Sequence, residues 1–466
     1  MASNWREPIF VPGFNSYHLP VSTNNRDHRR VSGFSKFDKE QRRRWLLEQF
    51  LPGHEAGEFS FFDAASPDLQ EVLDNFSENT VGNFPLPFGV APNFLINGEV
   101  RTVPMVIEES SVVAAASSAA KYWLTRGGFT AEVVATEKLG QVHFRWSGHP
   151  DRRAALFPEL ERRLRHVTTG LTARMEARGG GVRSMRWKHL PEVNDHCYQL
   201  LVSFGTGDSM GANFINTILE AYATEMQLWS SDSTALTDAE RDLEVIMAIL
   251  SNHTPNCVVN AGVSCPIEQM NLAGSGVDAA DFVRRFRLAV EIARRDPYRA
   301  VTHNKGIMNG IDAVVLATGN DFRAVEAAAH AFAAEGGQYR SLSRCRVVDE
   351  VFHFELTVPL ALGTVGGLTR LHPLADLSLD LLGRPTAEDL MCVAAATGLA
   401  QNFAALRSLV TTGIQRGHMK MHLQNVLGSL GANPEERKRA TAFFEGRTVS
   451  HHGVRQYLDK LREGAV

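Results

Sequence analysis

Apolar positions recur along the chain with two periods, and the change of period marks its elements. "TAEVVATEKLGQVHFRW" (130–146) alternates apolar and polar residues as strands do. "FPELERRLRHVTTGLTARMEARGGG" (157–181) predicts a polar-faced helix ended by glycines. "CYQLLVSFGTGDSMGANFINTILEAYATEMQLW" (197–229) predicts a strand, a glycine-punctuated turn and a helix with Phe214, Ile218, Tyr222 and Met226 four apart on one face. These pieces together make a compact α+β domain.

The flanks differ. "ENTVGNFPLPFGVAPNFLING" (78–98) holds three prolines and three glycines among apolar residues, which disfavours a long helix and predicts loops and short strands. "VPMVIEESSVVAAASSAAKYW" (103–123) reads as a strand, two glutamates, two serines able to cap, and an Ala/Ser-rich helix. Between about 255 and 400, helix-like pieces such as "DAADFVRRFRLAVEIARR" and "DFRAVEAAAHAFAAE" alternate with strand-like ones, "AVVLATG" and "VFHFELTVPLAL", and resume the first domain. Past Gly413 the pattern is two or three short helices. The amino-terminal basic clusters "NNRDHRR" and "KEQRRRW" read as a solvated lead-in, since charge runs usually face water.

Composition narrows the function classes. With 466 residues there is chain enough for two or three domains with substantial cores. A net charge of -4 provides no basic field for a nucleic acid. The amino end has no cationic start followed by an apolar stretch, and no run reaches the roughly 18 apolar residues of a membrane span, so a soluble, cytoplasmic protein with no membrane partner is expected. Cys197, Cys257, Cys265, Cys345 and Cys392 form no CxxC pair, against both a zinc ribbon and a disulfide framework.

Four polar residues stand in apolar or glycine-rich settings: Glu109, Lys305, Asp321 and His418. A lysine beside a carbonyl stabilises the oxyanion formed on nucleophilic addition, a carboxyl supplies a proton, and a histidine protonates a leaving group near neutral pH. Each has a plainer reading: Glu109 favours a helix amino end, Asp321 caps "DFRAVEAAAHAF", and a lone histidine beside Gly417 is more often structural. Lys305, set in "HNKGIMNGID" against an apolar run, is the hardest to dismiss, because a lysine taken from water needs a partner or a task.

The turn "GTGDSMGANFIN" leads from strand to helix, where free backbone N–H groups can meet a phosphate. Its GxGxxxG spacing is not the Rossmann GxGxxG, and the alternative is a helix start capped by Asp208 or Ser209. His418 and His422 have a metal-gripping spacing but lack the glutamate of HExxH, and His451 and His452 signal no more, so no metal is expected. "GSGVD" and "GTVGG" are turns, the second also able to let backbone approach a ligand.

Taken in order, "ENTVGNFPLPFGVAPNF", "VPMVIEESSVVAAAS", "GDSMGANFINT", "DPYRAVTHNKGIMNGIDAVVLATGND", "GTVGGLTRLHPLA" and "GLAQNFAALRSLVTTGIQRGHM" resemble the signature stretches of hydroxymethylglutaryl-CoA reductase, in its soluble class II form, over roughly residues 70 to 425. The resemblance implies an α+β fold: a large mixed α/β substrate domain, an inserted small α+β cofactor-binding domain of non-Rossmann type and a small helical carboxy-terminal flap. The expected boundaries are an arm over 1–60, the large domain over 61–134 and 256–412, the insert over 135–255 and the flap over 413–466.

It also implies a two-step reduction of 3-hydroxy-3-methylglutaryl-CoA through bound mevaldehyde to mevalonate and CoA, or the reverse oxidation. Lys305 is then the oxyanion-stabilising lysine, Glu109 the proton donor, Asp321 the residue that hydrogen-bonds both, and His418 the acid for the CoA thiolate. Ser111 and Arg299 take the acyl carboxylate, with Asn309 and Glu78 as further pocket positions. Asp208, Ser209, Met210, Gly211, Ala212 and Asn213 form the cofactor turn. Thr172 aligns where NAD-preferring relatives carry an aspartate, and Thr172 with Arg174 or Arg178 would admit a 2′-phosphate, favouring NADPH over NADH. The sequence has Ser110 where the family often has proline. A homodimer with interfacial active sites is implied, with further assembly open. The rival reading is an acyl-CoA-binding or regulatory relative without hydride chemistry; a hydrolase lacks a nucleophile motif such as GxSxG.

Overall fold

The computed structural model describes residues 30–271, 277–411, 423–424, 426–445, 447 and 449–463. The chain forms two compact units, Met1–Pro85 and Leu86–Val466. The first holds α1 (Lys39–Phe50), α2 (Ala56–Phe59) and α3 (Pro67–Asp74). Helix α1 starts at a capping box in which Asp38 and Gln41 each accept from the other's backbone N–H. The basic run within it is not wholly solvated: Arg43 is 4 % exposed, with Nη2 2.7 Å from Asp63 Oδ2 and Nε 2.7 Å from Val81 O. A guanidinium so placed ties the helix to the segments after it, and the unit runs past the boundary expected at residue 60.

The second unit opens with the antiparallel hairpin β1 (Phe88–Ile96) and β2 (Glu99–Val106), against which α4 (Val112–Leu124) packs. Strands β3 (Thr130–Thr136) and β4 (Lys138–Trp146) are separated only by Glu137 yet join different sheets. After β4 come α5 (Arg153–Glu176), β5 (Gly181–His189), β6 (Cys197–Gly205), α6 (Ala212–Asp232) and β7 (Leu243–Ser251), which build an antiparallel sheet of order β5-β6-β4-β7. That sheet and its two helices share a core of their own, including Phe144, Trp146, Leu160, Tyr222 and Trp229. The chain then returns as β8 (Cys257–Pro266), which pairs antiparallel with β3.

The remainder comprises α7 (Ala279–Arg295), α8 (Pro297–Ala317), α9 (Phe322–Ala334), β9 (Ser343–Val348), β10 (Val351–Pro359), α10 (Leu368–Leu371), α11 (Pro373–Leu381) and α12 (Ala387–Val410). Its sheet has the order β3-β8-β10-β9. Two further helices, α13 (Pro434–Phe443) and α14 (His451–Arg462), have a separate small core around Leu427, Ala440 and Leu458.

Helix α12 is long and apolar enough by composition to cross a bilayer, but 83 % of its most apolar window is buried inside the protein. It is a core helix, packed on α4, α8 and β8. Glycines set its closest approach to α8: a Cβ on Gly310 would lie 2.7 Å from Thr397 O, and one on Gly398 2.7 Å from Ile311 Cγ1. The second glycine of "NKGIMNG" therefore admits a helix, while Gly306 faces open space. "AVVLATG", strand-like in sequence, is the end of α8 and its turn. A short apolar run with β-branched residues fits a fully buried helix as well as a strand, and here the carboxy-terminal half of α8 is buried on nearly all sides.

Candidate active site

Lys305, Asn309 and Asp312 follow one another at helical spacing on α8 and so share a face. Lys305 Nζ lies 2.5 Å from Glu109 Oε2, and Asn309 Nδ2 is 3.4 Å from the same oxygen. Glu109 sits in the link between β2 and α4, which is shaped by an unusual residue: Ser111 precedes α4 with φ 73°. This left-handed conformation costs a non-glycine residue about 1 kcal/mol or more and is found disproportionately at functional sites. The serines do not cap α4 as expected; the Ser111 hydroxyl donates back to Ser110 O.

Behind this pair lies Asp312, which sequence reading passed over. Burial pushes its carboxyl well above the ordinary range, Glu326 and Glu108 add to the effect, and Lys305 opposes it. Its Oδ1 is buried and, among the described residues, without a hydrogen-bond partner. An acid hidden in an apolar helix at seven residues from Lys305 is a signal the sequence did carry.

The other expected residues are not gathered here. Asp321 caps α9, its Oδ1 accepting from Arg323 N and Ala324 N at 3.1 and 3.2 Å. Among the described residues it makes no hydrogen bond to Lys305 or Glu109, so the expected triad is a pair with the aspartate on a neighbouring helix start. Arg299 is six residues before Lys305, which places it about a third of a turn off that face. It is half-buried, has no ion pair among the described residues, and its pKa is lowered by that burial. The next turn holds His303, whose buried ring is driven down to about 3 by desolvation and by Arg299, and whose Nε2 meets Ser343 Oγ at 2.6 Å. Glu78 is exposed on a turn of the first unit. His418 and His422 lie outside the described residues.

The cofactor turn is built otherwise than its sequence suggests. Neither Asp208 nor Ser209 caps α6: its N-cap is Gly211 at φ 88°, with no side-chain cap, so the N–H groups of the first turn, from Ala212 and Asn213 onward, are open to an anion. A Cβ on Gly211 would fall 2.3 Å from Thr206 Cγ2. The Asp208 carboxylate instead accepts from Ala387 N at 2.8 Å, at the start of α12, and Asp208 O accepts from Thr364 N at 2.8 Å. Gly363 presses on the same turn, since a Cβ there would lie 2.4 Å from Met210 N. Asn320 holds Gly363 through both its amide groups, at 2.8 and 3.0 Å. The segment "GTVGG" thus does approach closely, but to the turn's backbone.

A cavity of about 540 Å³ opens beside the turn, lined among others by Lys138, Arg178, Thr206, Gly207, Asp208 and Glu388. An uncapped helix start and two cations suit the phosphates of a nicotinamide dinucleotide. Thr172 is not part of it. That residue is 3 % exposed and 3.4 Å from Thr169 O through its hydroxyl, on the face of α5 turned to the small domain's core. Arg178 is the residue of that region that lines the cavity. Among the described residues no group of three metal-ligating side chains occurs.

The family model for hydroxymethylglutaryl-coenzyme A reductase matches residues 39–423. The 3-hydroxy-3-methylglutaryl-coenzyme A reductase of Archaeoglobus fulgidus is 37 % identical over 93 % of this chain and 95 % of its own length. A probable reductase of the same name from Borreliella burgdorferi is 31 % identical over 85 % of the chain and 88 % of its own. In three dimensions the chain is similar to the class II enzyme of Streptococcus pneumoniae bound to NADPH in open conformations, with TM-score 0.66 and 36 % identity over 85 % of this chain and 96 % of that one. The chain is an NAD(P)H-dependent oxidoreductase in fold and family. The chain belongs to the hydroxymethylglutaryl-CoA reductase family, in its class II branch.

Proposed function

We propose that this enzyme reduces 3-hydroxy-3-methylglutaryl-CoA to mevalonate and CoA in the mevalonate pathway, with Lys305 and Glu109 at the reacting carbonyl. The observation that carries the assignment is the 2.5 Å pair of Lys305 Nζ and Glu109 Oε2, a cation and a carboxyl group converging on one point. Two NADPH molecules, bound in turn, would each supply one hydride, the first to the thioester carbonyl and the second to the aldehyde. Lys305 takes up the negative charge that develops on the thioester oxygen and, later, on the aldehyde oxygen. When the C–S bond breaks, the thiolate takes a proton from His418, and the free aldehyde stays at the same lysine. Glu109, which takes up a proton from solvent when the ion pair with Lys305 parts, gives that proton to the alkoxide of the second step. The resting ion pair has to part to admit the carbonyl, so the substrate enters between the two side chains. Asp321, one helix start away, acts on this pair once the site is assembled.

Arg299 suits the acyl carboxylate because it is a half-buried guanidinium without an anion among the described residues, and a carboxylate would meet it bidentately. Ser111 and Asn309 are the remaining pocket positions of this unit. The offset of Arg299 from the Lys305 face favours a site completed by a second copy of the chain, as a homodimer. Leu374, Leu377 and Leu381 form an apolar stripe on α11, each 43 to 53 % exposed, that such a partner would cover. The enzyme is cytoplasmic in this reading.

NADPH is the proposed cofactor, on the strength of Arg178 at the cavity rather than Thr172. Purified protein with hydroxymethylglutaryl-CoA should oxidise two NADPH per CoA released, read at 340 nm, and NADH more slowly. Arg178→Ala should lower kcat/KM about five- to tenfold with NADPH and leave NADH unchanged. Folded protein that oxidises neither cofactor would favour the acyl-CoA-binding relative instead.

A further inference from the structure

Lys138 is a charged residue on the inward face of a strand. Along β4 the buried positions alternate, and Lys138 falls in register with Gly140, Val142, Phe144 and Trp146. It is 5 % exposed. Its Nζ donates to Thr206 Oγ1 at 2.5 Å and to Ser209 O at 2.8 Å, both in the cofactor turn. An ammonium has three N–H donors, and among the described residues no third acceptor meets this one.

Nor does an anion balance it. Burial drives the Lys138 amine below the ordinary lysine range, and the neighbouring group that opposes this is the Cys257 thiol. Burial in turn pushes that thiol up to about 11, so it is protonated and neutral near pH 7. The Asp208 carboxylate is engaged at Ala387 N, and no ion pair to Lys138 occurs among the described residues. A cation taken out of water with no counter-charge destabilises the fold or forfeits its proton. The cost is recovered if an anion arrives, and Lys138 lines the cavity that also reaches Arg178, Gly207 and Asp208.

We propose that Lys138 is the fixed cation for the cofactor's pyrophosphate: two of its N–H groups hold the turn through Thr206 and Ser209, and the third meets a phosphate oxygen. The proposal rests on the dinucleotide reading of this cavity. It assigns Lys138 and Arg178 different tasks. Pyrophosphate is common to NADH and NADPH, whereas the 2′-phosphate belongs to NADPH alone.

The test is cofactor affinity in the absence of acyl substrate, from nicotinamide fluorescence of the full chain, for wild type and Lys138→Met. The variant is expected to bind NADPH and NADH about ten- to a hundredfold more weakly, by the same factor for both. Its affinity for hydroxymethylglutaryl-CoA should be unchanged, and its melting temperature equal or higher, because an apolar side chain replaces an unpaired buried charge. Unaltered cofactor affinity, or a loss confined to NADPH, overturns the proposal. Should Lys138→Met fail to give a cooperative melt, Lys138→Gln carries the same comparison, keeping a hydrogen-bonding group without the charge. Wild type that binds neither nucleotide would remove the dinucleotide reading itself and this proposal with it.

Discussion

Lys305→Ala is expected to lower kcat about a thousandfold or more while leaving the protein folded. Loss of one preorganised oxyanion donor typically costs a hundred- to a thousandfold, and Lys305 supplies a full charge as well as a donor. Both hydride transfers need that charge, so reduction of added mevaldehyde should fall in parallel with reduction of the thioester. The fold has little at stake. The Lys305 side chain is 59 % exposed, alanine suits a helix, and an exposed ion pair such as that with Glu109 contributes at most about 1 kcal/mol. Single-turnover rates beside a thermal melt would check this. Retention of a tenth of the activity would end the assignment of Lys305 as the oxyanion group.

Glu109→Gln should cost about a hundred- to ten-thousandfold in turnover, the range for a positioned general acid. Glutamine keeps the length of the side chain and accepts from Lys305 and Asn309, so the link after β2 retains its shape and substrate affinity should hold. The distinguishing feature is the kind of loss. Removing a proton donor flattens the pH dependence of the aldehyde step and leaves its rate insensitive to added carboxylate buffers too large to enter. Removing Lys305 lowers the rate at every pH. Because the two groups act at one carbonyl, the double variant should be far less than the product of the single losses. A Glu109→Gln enzyme with wild-type aldehyde reduction would place the donor elsewhere.

Much of the fold was readable because the periods are regular. The alternation of β4 and the four-residue spacing of Phe214, Ile218, Tyr222 and Met226 predict the small domain's sheet and helix, and both are found. "AVVLATG" misled because a run apolar on every side carries no period. Of the two readings open for Asp208, the local helix cap fails because the partner of its carboxylate, Ala387, is 179 residues away, beyond any pattern in the nearby sequence. Thr172 was a different failure. Leu156, Leu160, Leu164, Thr168 and Thr172 continue one stripe of α5, and following that stripe would have turned Thr172 inward. Parity along β4 would likewise have flagged Lys138. Lys305 and Glu109 stood out as polar residues in apolar or glycine-rich settings, but nothing in their separation of 196 residues foretold that they touch.

The clasp of Asn320, Gly363 and the turn at Met210 bears on how such an enzyme can be re-engineered. The β4–β7 segment, to which we assign the nucleotide, crosses to the rest of its unit at the ends of β3 and β8, which invites its exchange as a cassette. The turn, however, takes its shape from groups outside the insert: Thr364 N and Ala387 N on Asp208, and the bare Cα of Gly363 against Met210. A graft cut at those two strands would carry the turn at Asp208 without its mould. Segment 363–365 and the first turn of α12 have to travel with it.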